Sequence, residues 1–242
     1  KTAEIGPIPA VVNPKRKAKA IASLLFYLEN YFPNSAGLSP YSDDHKRVIR
    51  RMESVLKHGG RLANSIYRGF AKTTTGTLAL SWAVTCGWQQ CALIVGSSQP
   101  KAEELLSGIR QEWETNDLLF EDFPEVCYPF RSLEGKVARC KSQTSNGEQT
   151  KIHMCKNQLT LPSVPGSLCG GFVLFAYGLG GQVRGINIFG PGGKRLRTTC
   201  AMIDDPQNDG SADSITQVDS RLNVIRKGII QSAGHAKKIS VI

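Results

Sequence analysis

The chain has 242 residues, 40% hydrophobic and 21% charged, which is ordinary for a soluble globular protein and enough for one large α/β domain or two small ones. No apolar run reaches the ~18 residues of a membrane span, and no secretory leader is read at the N-terminus. The seven cysteines, odd in number and without a CxxC pair, argue against a disulfide framework or structural zinc and read as buried thiols in a reducing compartment, while the net charge of +10 favours an anionic partner such as nucleotide or nucleic acid.

Residues 1–14 read as extended and Pro-punctuated, and the basic run PKRKAK at Pro14–Lys19 reads as a solvated arm. Apolar residues at Ala18, Ile21, Leu24, Leu25 and Leu28 predict one helix from Pro14 to about Tyr31. Ser42 predicts the cap of a second helix over Asp43–Lys57, with Val48, Ile49, Met52 and Leu56 on one face. Strands and helices then alternate: a strand at Arg61–Ile66, a helix at Lys72–Thr85, a strand at Ala92–Gly96 and a helix at Lys101–Glu114. Thr115–Asn146 reads as polar and irregular. Lys151–Leu161, Gly171–Tyr177 and Gly185–Phe189 read as strands without an intervening helix, hence a β-rich insertion or antiparallel edge. A strand at Thr198–Ile203, a helix at Ser214–Gly228 and a strand from Lys238 to Ile242 complete the pattern. The alternation predicts an α/β fold, with a mainly parallel central sheet flanked by helices.

The stretch YRGFAKTTT at Tyr67–Thr75 lies between a predicted strand and a predicted helix. A phosphate cradle needs inward backbone N–H groups, a helix N-terminus behind them and a Lys that reaches the outer phosphates. Lys72 meets the last need. Thr73 can hold Mg²⁺ through its hydroxyl, Thr74 can help cap the helix, and Gly69 lets the loop turn past Phe70. Ala71 stands where a phosphate loop usually has Gly, which is tolerable if φ is negative there. Arg68 could fold its guanidinium over a γ-phosphate. The plainer alternative is a strand–loop–helix junction with a surface Lys.

The second feature is TTCAMIDD at Thr198–Asp205, a β run ending in two carboxylates. Asp204 can hold Mg²⁺ through water, and Asp205 can polarise an attacking water, from closer range than a Glu would need. A turn or helix cap is the alternative for an isolated pair, but two such motifs on predicted strand ends, in this order, point to nucleotide hydrolysis.

IYRGFAKTT, ALIVGSSQPKAEELLSGIRQEW, GGQVRGINIFG and AMIDDPQND together resemble the N-terminal ATPase domain of the large terminase subunit of tailed bacteriophages, over roughly residues 40–242. The resemblance implies an ASCE-type P-loop NTPase fold and an ATP- and Mg²⁺-dependent motor that moves double-stranded DNA into a procapsid in the host cytoplasm. Its implied partners are the portal protein, the small terminase subunit and further copies in a ring. By position Lys72, Thr73, Arg68 and Asp204 match the family's loop and magnesium residues. Asp205 stands where most members have a catalytic Glu. Arg184 in QVRG matches an Arg ahead of the acidic strand, readable as an arginine finger or as a structural Arg; Arg68 competes for that role. His45 and Tyr41 lie near the place where such ATPases often carry an adenine-reading Gln, so they are the candidate adenine contacts. Residues 1–39 share little of the resemblance and read as an arm and helix. The expected nuclease domain is not read here, and the chain, which lacks an initiator Met, reads as an isolated ATPase domain. Two rival readings stay open: a helicase-type P-loop ATPase, and a nucleic-acid-binding or docking module that never hydrolyses nucleotide.

Overall fold

The short strand β1 (Ala3–Glu4) is followed by α1 (Pro14–Ala22) and α2 (Leu24–Tyr31). The single helix expected over this stretch breaks at Ser23, whose backbone is extended (φ −139°, ψ 121°). Its hydroxyl accepts from the Phe26 N–H at 3.3 Å and so caps the second helix; a Ser that can bond the backbone locally favours such a cap over a helix interior. In α3 (Asp43–His58) Ser42 is the N-cap, Asp43 and Asp44 occupy the first turn, and Lys57 and His58 the last, each matched to the helix dipole. The computed structural model describes residues 3–33, 40–179, 188–189, 195–206, 214–233 and 239–242.

Next come β2 (Gly60–Arg61), α4 (Lys72–Thr85), β3 (Cys91–Gly96) and α5 (Gln99–Thr115). The strand expected at Arg61–Ile66 is therefore short, and the chain beyond it is irregular up to the helix. The region expected to be irregular, Thr115–Asn146, is largely ordered secondary structure: α6 (Asp117–Asp122), α7 (Pro124–Ser132), a 3-10 turn at Val137–Lys141, and β4 (Gln143–Ser145). Helices this short carry too few turns to display a period, and Pro124 and Pro129 mask the second one. Yet Phe123, Val126, Cys127, Phe130 and Leu133 are wholly buried, and a fully buried Phe or Leu contributes roughly 1.5–3 kcal/mol.

The remaining elements are β5 (Glu148–Gln149), β6 (His153–Cys155), β7 (Gln158–Thr160), β8 (Val173–Gly178), β9 (Ile188–Phe189), β10 (Arg195–Leu196), β11 (Cys200–Ile203), α8 (Ile215–Asn223) and β12 (Ser240–Val241). After α8 the helix widens to π geometry over Val224–Ile229. Among the described residues the main sheet has seven strands in the order β2-β12-β11-β3-β8-β7-β6. The first five run parallel, and β7 and β6 add an antiparallel hairpin at the edge. The expected strand over Lys151–Leu161 is this hairpin. The α/β class with a parallel centre and antiparallel addition is thus present.

Two apolar clusters cover the two sheet faces, as the period of two requires. Ala92, Ile94, Leu174, Ala176, Cys200 and Met202 meet the helices through residues such as Leu24, Trp82, Ile109 and Phe130. Leu93, Val95, Val173, Phe175 and Ala201 meet Ile229 and Ile239 on the other side, with Val224, Ile225 and Ile230 packed against them. Helices α1 and α2 contribute Ala20, Leu24, Tyr27 and Leu28 to the first cluster. The basic run is therefore no free arm. Arg16 pairs with Glu121 and the fully buried Asp122, and Lys17 with Glu125 at 2.6 Å.

Strand β1 pairs in parallel with β4. Glu4 secures it by accepting from Thr144 Oγ1 at 2.8 Å and from the N–H groups of Gly6, Asn146 and Gly147 at 2.9, 2.9 and 3.1 Å. The Thr144 hydroxyl first, then the Gly6 amide, hold its carboxyl below the ordinary value of 4.5. A depressed carboxylate stabilises above its unfolded value, and that contribution is lost as pH falls through the folded one. At neutral pH Glu4→Gln is expected to speed amide exchange in residues 3–6 without affecting β3. The wild type should show the same change only below its ordinary Glu range. Unchanged exchange in the variant would mean that Glu4 does not hold the strand.

Candidate functional site

The segment between β2 and α4 forms a loop that closes over the N-terminus of α4. Ala71 is the N-cap of α4 and gives no side-chain cap, so first-turn N–H groups are left for another acceptor. Ala71 has φ 51° and ψ 34°. The condition of a negative φ is thus not met: Ala71 takes the left-handed conformation, at a cost of roughly 1–2 kcal/mol for a residue with a Cβ. Gly69, at φ +88°, bends the loop where a Cβ would meet nothing within 4 Å but would strain the backbone.

Lys72 begins α4, and its Nζ donates to the carbonyls of Ile66 at 2.6 Å and Tyr67 at 2.8 Å. These bonds aim the ammonium back across the loop. Thr73 follows, and its hydroxyl donates to Asp204 Oδ1 at 2.7 Å. Asp204 is fixed at the end of β11 by its own N–H, which donates to Val95 O at 2.8 Å. Helix α4 can lie close to β11 because position 76 is Gly: a Cβ there would stand 3.1 Å from Met202 Cε. The sheet thus brings together two motifs that are far apart in sequence.

A cleft of about 1320 Å³ opens between them, lined by Arg68, Gly69, Ala71, Lys72, Thr73, Asp204 and Asp205. Arg61, Asn64 and Ser65 line it too. Sequence reasoning passed over these three because they lie in what was read as a strand. Ile203, Ile225, Ile230 and Ile242 add an apolar wall. Asp205 takes φ +46°, so the acidic pair turns sharply as it leaves the strand. Arg68 is exposed at the loop.

The other sequence candidates lie elsewhere. Tyr41, His45 and Phe70 are buried at 6%, 7% and 5% exposure, and pack together rather than line the cleft. Thr74 is half-buried in the first turn of α4. Arg184 lies outside the described residues. A basic surface that the sequence reading missed is on α3, where Arg47, Arg50 and Arg51 are exposed; their i, i+3, i+4 spacing on an amphipathic helix was the available signal.

All seven cysteines are free thiols, and all but Cys155 are buried. Burial pushes the Cys91 and Cys169 thiols up to about 12, which keeps them protonated and inert. Among the described residues no group of three or more His, Cys, Asp or Glu side chains is placed to hold a metal by itself, and no helix is long and apolar enough to cross a membrane. No protein-family model matches this chain, and no curated protein sequence matches it.

Proposed function

We propose that this chain is a Mg²⁺-dependent ATPase of the P-loop, ASCE type, working as the DNA-packaging motor domain of a phage large terminase subunit. The observation that carries the reading is the 2.7 Å hydrogen bond from Thr73 to Asp204 beside Lys72 at the mouth of the cleft. A hydroxyl and a carboxylate are hard oxygen ligands, and Mg²⁺ is commonly held by one or two carboxylates plus substrate phosphates, so this donor set fits the metal. The strand order supports the same reading. Strand β12 separates the loop strand β2 from the acidic strand β11, the position of the additional strand for which the ASCE class is named.

In this reading the first-turn N–H groups of α4 and the Lys72 ammonium bind the outer phosphates. Arg68 supplies further positive charge where negative charge grows during phosphoryl transfer. Thr73 and Asp204 would hold the magnesium, which would supply positive charge against the phosphates when bound. Asp205 accepts a hydrogen bond from the attacking water and so orients it. Arg184 keeps the finger role as a candidate. Double-stranded DNA is gripped through its phosphates; Arg16 and Lys17 are committed to internal pairs, which leaves the exposed arginines of α3 as the better contacts. The portal, the small subunit and a ring of copies in the host cytoplasm complete the proposal.

The test is calorimetry of Mg²⁺–ATP binding with phosphate release followed in parallel, on wild type and Asp204→Asn. The wild type is expected to bind and turn over. The variant keeps an oxygen for the Thr73 hydroxyl but loses the charge on the metal, a loss of about 10²-fold in turnover, since metal charge stabilisation is worth several kcal/mol. A wild type that binds DNA but no Mg²⁺–ATP would favour the non-hydrolysing module instead.

A further inference from the structure

Within Tyr67–Phe70 only Phe70 is buried; Tyr67, Arg68 and Gly69 are exposed. Phe70 also sits between two left-handed residues, Gly69 at φ +88° and Ala71 at φ +51°. A strained loop with one buried side chain depends on whatever holds that side chain. The holder is His45, in the first turn of α3. Its ring stacks on Phe70 with centroids 3.8 Å apart and planes 12° from parallel. Tyr41 flanks His45 at 5.9 Å, and Tyr67 meets Phe70 edge-on at 5.6 Å. The His45 ring is oriented by a 2.6 Å hydrogen bond between Nδ1 and Ser42 Oγ. Its Nε2 is buried and has no hydrogen-bond partner among the described residues, so the outer nitrogen reaches neither the cleft nor any other polar group.

We infer that His45 is a positioning residue for the phosphate loop: its ring clamps Phe70 and thereby fixes the loop in its phosphate-binding shape. This rests on the phosphate-loop reading above and replaces the expectation that His45 contacts adenine. The clamp acts through the ring face, and the Nδ1 bond to Ser42 sets its orientation. Phosphate affinity therefore depends on His45 whether or not the ligand has a base. The chain of effect is short: Phe70 precedes the N-cap by one residue, and Lys72 is anchored on the carbonyls of Ile66 and Tyr67 in the same loop.

The experiment compares wild type, His45→Leu, which fills the space without an aromatic face, and His45→Phe, which restores one. Binding of Mg²⁺–ATP and of Mg²⁺–tripolyphosphate, which lacks a base, is measured by calorimetry. Amide exchange over residues 66–72 and thermal midpoints are recorded on the same samples. We expect His45→Leu to weaken both ligands by the same factor, about 10-fold at most for one aromatic pair, and to speed exchange in the loop. His45→Phe should restore both readouts to within about 2-fold of wild type, the remainder of that same stacking contribution. If His45→Leu fails to fold, His45→Gln takes its place. Weakened ATP with unchanged tripolyphosphate would overturn the inference in favour of base recognition, as would unchanged exchange in the loop. If the wild type bound neither ligand, the ATPase reading would fail on its own, and loop exchange with its rescue by Phe would still decide whether His45 is the clamp.

Discussion

Lys72→Ala is expected to abolish measurable Mg²⁺–ATP binding under conditions where the wild type saturates, with an affinity loss of at least ~10²-fold. Truncating one partner of a charge-assisted contact costs about 2–5 kcal/mol. Two effects add. The first is loss of the ammonium at the N-terminus of α4, where nucleotide phosphates would sit. The second is loss of the two bonds from Nζ to Ile66 O and Tyr67 O, which brace the loop. The fold itself should change little, because Lys72 is only half-buried and those carbonyls can turn to water. Calorimetry on both proteins, with thermal midpoints as control, separates the outcomes. A variant that binds as tightly as the wild type would remove Lys72 from the site. A variant whose midpoint collapses would show that the brace serves the fold rather than the ligand.

The largest stability effect is expected at Arg16→Met. Asp122 is fully buried, and its carboxylate receives Arg16 through Nε and Nη2, the latter at 3.1 Å, and the Tyr31 hydroxyl at 2.5 Å. Glu121 shares the same guanidinium at 2.6 Å. The Asp122 hydrogen bond holds the Arg16 guanidinium further towards its charged form, and burial, with the same carboxylate, raises the Tyr31 hydroxyl. Removing the arginine strands a charge in the core, which costs about 3–5 kcal/mol. That is a large part of the 5–15 kcal/mol total typical of a domain, or roughly 6–20 °C in midpoint at 2–4 °C per kcal/mol. Pairing the change with Asp122→Asn should recover much of it. A urea titration of both variants checks this; a single variant as stable as wild type would mean that α1 is not held by this pair.

Much of the fold was legible in the sequence because the relevant signals are local. Helix α4 runs over Lys72–Thr85 as read, since its apolar, small-residue run is bounded by the loop and by Gly87. β3 and β11 announced themselves as continuous apolar runs, which strands covered on both faces must have. The edge hairpin was legible as β segments without a helix between them. The failures share a cause as well. The break at Ser23 depends on a cap that competes evenly with continued helix. The helices α6 and α7 are too short for periodicity and are stabilised by the core they enter. Arg16 and Lys17 looked solvated because their partners, Glu121, Asp122 and Glu125, lie far along the chain.

The candidate site divides the same way. The sequence by itself determined its chemistry: a Lys-Thr pair behind a glycine-bearing loop, and an apolar strand ending in two Asp. Residue type and local spacing are enough for that. Only the tertiary structure decided that Thr73 and Asp204 meet, because their contact joins the first turn of α4 to the end of β11, 131 residues further along the chain. Only it gave Ala71 a left-handed backbone, since closure over α4 outweighs the preference of one residue. It also set Tyr41 against His45 and His45 against Phe70, in a buried group. An aromatic side chain near a nucleotide loop reads alike in sequence whether it faces the cleft or the core, and burial alone separates the two.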